Sequence, residues 1–162
     1  MVNTAPSVHI DAFFARHASF NYDPTQPIMQ EFRRMTAGWG QKRRQKQMWN
    51  LRDAIAEQFN AYYGVDVNSD RAWREICAVL QIYPVPESMT KRKKAVKRLH
   101  VNIYDYIEAK RLGEPVKKFK SVGALAGYSY AEEKIFPLAH AKAGGLLKYL
   151  LKELSAHTYR SY

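Results

Sequence analysis

Apolar positions in this chain recur at intervals of three and four residues, the period of an amphipathic helix, and almost nowhere alternate as a half-buried strand requires. Ile10, Phe13 and Phe14 make a short apolar face after Ser7. Ile28, Phe32 and Met35 repeat it after Pro27, a residue suited to the first turn of a helix. Gly38 and Gly40 then break the chain. From Gln41 a longer helix is expected, with Met48, Leu51, Ile55, Phe59 and Tyr62 on one stripe and Gly64 as its stop. Its first turns, residues 41–47, hold no apolar side chain, so that end projects into solvent or onto a partner. Trp73, Ile76, Cys77 and Leu80 form the next stripe, capped by Asn68 or Ser69 and ended by Pro84 and Pro86.

Ser88 or Thr90 opens a basic helix whose buried side is Val96 and Leu99. It either continues through His100 or restarts with Asn102 as a cap, because Ile103 and Ile107 stay in phase with Leu99 both ways; Gly113 closes it. Residues 115–119 are the one short stretch with extended character, too little to found a sheet. Ser121 caps a small helix carrying Val122 and Leu125. After a turn at Pro137, residues Leu146, Leu147, Leu150, Leu151 and Leu154 give the cleanest amphipathic pattern in the chain. About seven short to medium helices with no fixed repeat predict an all-α, compact single domain over residues 7–154, with flexible ends at 1–6 and 155–162. Its core is expected to hold Ile55, Phe59, Trp73, Leu80, Leu146, Leu147 and Leu150.

Composition adds two constraints. Among the 162 residues, 46% are hydrophobic and 13% aromatic, enough burial to offset the ordering entropy that leaves charged, polar chains disordered. Cys77 stands alone, which excludes an intramolecular disulfide and a thiolate zinc cluster, and favours an intracellular setting, cytoplasm or nucleus. Neither a signal peptide nor a membrane span is expected, since no basic start leads into an apolar run and no stretch of about 18 apolar residues occurs.

An ordered series of short segments carries a resemblance. It comprises Ile10-Asp11-Ala12-Phe13-Phe14, Phe20-Asn21-Tyr22-Asp23-Pro24, Gln58-Phe59-Asn60, and Tyr63-Gly64-Val65-Asp66-Val67-Asn68. It continues through His100-Val101-Asn102-Ile103, Gly113-Glu114-Pro115-Val116, Lys134-Ile135-Phe136-Pro137 and Ala143-Gly144-Gly145-Leu146-Leu147. Over roughly residues 8–154 the chain resembles an uncharacterised family of small intracellular fungal proteins. The resemblance implies no activity, cofactor or site residue. It does imply that the positive surface is peculiar to this chain, because the family is acidic where Lys42, Arg43, Arg44 and Lys46 stand here.

That positive charge is what points toward function. The formal net charge is +11, and residues 91–120 alone hold 11 basic side chains against Asp105, Glu108 and Glu114, a local excess of 8. A focused positive field draws polyanions, of which nucleic acid is the commonest in a cell. Lys91, Arg92, Lys93, Lys94, Lys97 and Arg98 are the expected main phosphate contacts, helped by Lys42, Arg43, Arg44 and Lys46. Lys91 to Lys94 also has the form of a nuclear import signal, and a solvated face that only keeps the protein soluble gives the same pattern. Tyr106, reading as turned away from Ile103 and Ile107, is a candidate platform for base stacking; core packing is the plainer use of a tyrosine. Trp39, between two glycines, is a candidate anchor for a partner or a plug for its loop.

Catalytic signatures are missing. The five histidines show no i, i+4 ligand pair, no cofactor motif is present, and Cys77 lies on an apolar stripe as a structural thiol. Ala143-Gly144-Gly145 before a helix reads either as an anion-binding turn or as close packing. The sequence thus predicts a non-enzymatic helical domain that binds DNA or RNA through phosphates. The alternative is a protein-interaction module whose basic face meets an acidic partner.

Overall fold

Six of the helices begin where a side chain takes up a backbone N–H group that the first turn leaves unbonded. The computed structural model describes residues 5–140 and 145–154. Within them run α1 (Val8–Ala15), α2 (Ile28–Thr36), α3 (Gln41–Tyr63), α4 (Asp70–Val79) and α5 (Met89–Lys97). After them come strand β1 (His100–Val101), α6 (Ile103–Leu112), β2 (Lys118–Phe119), α7 (Val122–Ala131), a 3-10 turn (Leu138–His140) and α8 (Gly145–Leu154). Ser69 Oγ accepts from Ala72 N at 3.2 Å, Ser88 Oγ from Lys91 N at 3.2 Å, and Ser121 Oγ from Ala124 N at 3.1 Å. Two helices are capped from afar: Gln58 Oε1 on α3 accepts from His9 N at 2.9 Å, and Glu108 Oε1 on α6 accepts from Ile28 N at 2.6 Å. Gly64 and Gly113 end α3 and α6 at φ 77 and 70, a region that favours glycine.

The architecture is predominantly α, with eight α-helices among the described residues. α3 is its axis, and α1, α6, α8 and the 3-10 turn pack on it. The seven core residues expected from periodicity are all buried, joined by Phe13, Phe14, Phe32, Leu51 and Phe136. Full burial of one such side chain stabilises by roughly 1.5–3 kcal/mol.

The structure decides or refines three local readings. Of the two readings of the basic helix the restart is the one found: the helix ends at Lys97 and the chain extends for two residues, and the stretch at 115–119, expected to be too little to found a sheet, supplies β2, which pairs antiparallel with β1 through His100 with Phe119 and Val101 with Lys118. α6 then restarts on Asn102, whose Oδ1 accepts from Tyr104 N at 2.9 Å. The helix after Ser121 reaches Ala131, because Leu125 and Ser129, one turn apart, both face inward. The buried stripe of α3 ends on Tyr63, in phase with Phe59, while Tyr62 stays half-buried.

The expected flexible ends, apart from Ala5 and Pro6, lie outside the described residues, as do Ala143 and Gly144. Ala5 N donates to Lys110 O at 3.3 Å. At Gly145 close packing is evident, since a Cβ there would stand 3.2 Å from Val65 O. Among the described residues no helix is long and apolar enough to cross a membrane: α3, with 23 residues, has the length and not the apolarity.

Candidate nucleic-acid interface

The first basic run opens α3. Lys42, Arg43 and Lys46 are exposed there. Arg43 lies over the Trp39 indole, its guanidinium carbon 3.6 Å from the ring centroid. Trp39 is not a projecting anchor. It is half-buried against the core, 5.7 Å from the His17 ring, and its backbone N–H donates to Thr36 O at 3.0 Å, so it plugs the glycine-flanked turn. Burial, followed by the Arg43 charge, lowers the pKa of His17. Arg44 turns the other way and donates to Glu133 Oε2 at 2.7 Å, holding that carboxyl below its ordinary range.

In the second run, Lys91, Lys94, Lys97 and Arg98 are exposed. Arg92 is not. It is fully buried, donating Nε to Pro86 O and Nη2 to Glu87 O, each at 2.7 Å, and Nη1 to the Asp70 carboxylate. The reason is phase: Arg92 stands four residues before Val96 and seven before Leu99, on the stripe that faces the core. Lys93 is half-buried, 3.5 Å from Asn68 Oδ1 and over the Trp73 and Tyr149 rings at 5.7 and 5.6 Å.

Tyr106 is no stacking platform either. It is fully buried, 5.6 Å from the Tyr63 ring and 6.1 Å from Phe59, and burial pushes its hydroxyl well above the ordinary phenol range. α6 buries Ile103, Tyr104, Tyr106, Ile107, Ala109 and Arg111, so it has no single wet face on which Tyr106 could sit. A one-faced reading fails for a helix enclosed on most sides.

The two runs do not converge at their inner ends. One lies at the start of α3, while Lys93 meets Asn68 in the loop beyond its far end. A 23-residue helix is about 35 Å long, which sets the scale of the distance from the start of α3 to the Lys93 end of the second run.

Beside the first run, α3 and the segment from Tyr130 to Ala139 enclose an open groove of about 630 Å³. Met48, Trp49, Tyr130, Ile135 and Pro137 supply its apolar lining, and Arg44, Arg52 and Glu133 its charge. Sequence reasoning passes over Trp49 and Arg52. Their signal was an indole on the polar side of an amphipathic helix, next to the stripe and not on it. Elsewhere Cys77 is buried, with its thiol raised by burial, and no group of three His, Cys, Asp or Glu among the described residues can hold a metal ion.

No family model matches the chain, no curated protein matches it, and no solved structure matches it. The reading of this surface therefore rests on its own residues.

Proposed function

We propose that this protein binds nucleic acid through phosphate contacts, without catalysis and with little sequence discrimination. Lys42, Arg43 and Lys46 act at the start of α3, and Lys91, Lys94, Lys97 and Arg98 act on α5. The observation that carries the proposal is the sorting of the basic side chains. Arg92 and Arg44 are withdrawn to carboxylates and carbonyls, while Lys42, Arg43, Lys46, Lys91, Lys94, Lys97 and Arg98 keep exposed side chains. Exposed cations add little to stability, so their clustering is better explained by an external anion than by folding.

The test is salt dependence. Each neutralised phosphate adds about −0.9 to the slope of log affinity against log salt on duplex, and about −0.7 on a single strand. Replacing Lys42, Arg43 and Lys46 together by Ser is expected to flatten that slope by up to about three contacts and to weaken all sequences alike, with melting unchanged. A wild-type protein that binds neither duplex nor single strand at low salt refutes the proposal. Pull-downs with and without nuclease then identify the alternative, an interaction module on an acidic protein, by a stoichiometric partner that survives digestion.

A further inference from the structure

Among the exposed serines and threonines of the described residues, Ser121 has a setting that no other shares. Three of the four residues before it, Lys117, Lys118 and Lys120, are basic, and all three are exposed. Ser19 follows one arginine, Arg16, while Thr25, Ser88 and Thr90 follow no Lys or Arg within four residues. The backbone suits the Ser121 hydroxyl to an external enzyme. From Gly113 to Ser121 the chain forms no helix, and β2 belongs to a sheet of two strands, so no further strand covers its outer edge among the described residues. Beyond Ser121 the chain is loosely held: Val122 is half-buried, Gly123 and Ala124 are exposed, and the first side chain of α7 to be buried is Leu125. Ser121 Oγ accepts from Ala124 N, and Ser121 O from Leu125 N, each at 3.1 Å. Opening one turn breaks those two bonds, and Gly123 makes that turn a poor helix. A serine that can be presented in extended chain behind three lysines matches a kinase whose substrate groove is acidic.

The sheet adds a consequence for binding. His100 pairs antiparallel with Phe119, so Ser121, two residues after Phe119, and Arg98, two residues before His100, leave the sheet at the same end. Arg98 is exposed and belongs to the phosphate surface of α5. A phosphate on Ser121 brings about −1.5 to −2 charges to that end of the sheet, where Arg98 and Lys120 stand.

We propose that Ser121 is a phosphorylation site for a serine kinase that selects basic substrates, and that its phosphate weakens the α5 surface for nucleic acid. The modification stands on the setting of Ser121 itself, and its effect rests on the phosphate-binding reading above. The Ser121 hydroxyl oxygen attacks the γ-phosphorus of a nucleoside triphosphate, and the bond from that phosphorus to its bridging oxygen breaks. The nucleoside diphosphate leaves with the electron pair, and the hydroxyl proton passes to the catalytic base of the kinase. Phosphate oxygens accept hydrogen bonds as the hydroxyl oxygen does, so α7 keeps its cap.

The experiment incubates the full chain with magnesium ATP and, in parallel, with two kinases that select basic substrates, the cyclic-AMP-dependent and the calcium- and lipid-dependent serine kinases, and with one that selects acidic substrates. Peptide mass spectrometry maps the phosphate. Ser121 is expected to take it from at least one basic-selective kinase and not from the acid-selective one. Ser121→Asn, which keeps a capping oxygen, takes none, and replacing Lys118 and Lys120 together by Ala slows incorporation by about 10-fold or more. The phosphorylated protein is then titrated at low salt with oligo-dT and with duplex DNA. Its affinity is expected to fall by about 10-fold and its salt slope to flatten by about one or two contacts, with a melting temperature no lower than before. No phosphate on Ser121 from either basic-selective kinase, or equal incorporation from the acid-selective one, overturns the site. Phosphorylated protein that binds with unchanged affinity and slope, or that loses affinity only together with its fold, overturns the effect on binding. Unmodified protein that binds neither nucleic acid overturns the phosphate-binding reading and that effect with it, while the mapping decides the modification by itself.

Discussion

Arg92 and Lys94 are two residues apart in one basic run and do opposite things. Arg92 ties the loop before α5 to the start of α4, with two backbone carbonyls and the Asp70 carboxylate as its acceptors. Asp70 is 61% exposed at its side chain, so solvent screens that ion pair, and the two carbonyls carry most of the energy. Arg92→Ala strips donors from both and leaves a void, an expected loss of about 2–4 kcal/mol in thermal or urea unfolding. Asp70→Asn is expected to lower the melting temperature far less than Arg92→Ala, and Lys94→Ser to change nothing measurable. An Arg92→Ala protein that melts with the wild type contradicts the clamp. The pattern of hydropathy could not show it, because arginine counts as polar wherever it stands. Its phase with Val96 was legible; its acceptors, one of them 22 residues away in sequence, were not.

At the scale of elements, the helices that were easiest to read are those with one wet face. α8 is such a helix, and its Leu146, Leu147 and Leu150 are buried as their spacing requires. α6 is the opposite: it is wrapped by α3, α4 and the loop at Lys134, so Tyr106 went inward where a one-faced pattern pointed it out. Its start depends on Asn102, which is fully buried and uses both ends of its amide. Oδ1 accepts from Tyr104 N, while Nδ2 donates to Ser129 Oγ at 2.9 Å and Lys134 O at 2.8 Å. Asn102→Ala removes the cap, about 1 kcal/mol, and leaves a buried carbonyl without its donor, a further 1–3 kcal/mol. Asn102→Asp separates the two: it keeps the acceptor for Tyr104 N but faces Lys134 O with no donor. It is expected to melt at least as early as Asn102→Ala, and an Asp variant as stable as the wild type shows that capping is the whole role. The groove was illegible for a related reason. Trp49 and Tyr130 stand 81 residues apart in the chain, and only the fold brings them to one groove.

Across the whole molecule, a net charge of +11 is carried in two separated runs, so its strongest field lies at distinct places on the surface. The separation has a consequence for ligands. With the Lys93 end of the second run set beyond the far end of α3, about 35 Å from its start, one phosphate chain engages Lys42 and that end together only if it reaches that far. Successive phosphates on one strand of a duplex advance by about 3.4 Å, so about ten base pairs span the distance. Duplexes of five or six pairs then contact one run at a time, and those of 15 or more contact both. The number of counterions released, read from the slope of log affinity against log salt, is expected to rise between these lengths by about three or four contacts and to level off beyond. Neutralising Lys42, Arg43 and Lys46 by Ser should abolish that rise while leaving the short-duplex slope close to its original value, because the α5 run still serves a short ligand. A slope that does not change with length means that the two runs are never engaged by one strand, and that a single run carries the binding.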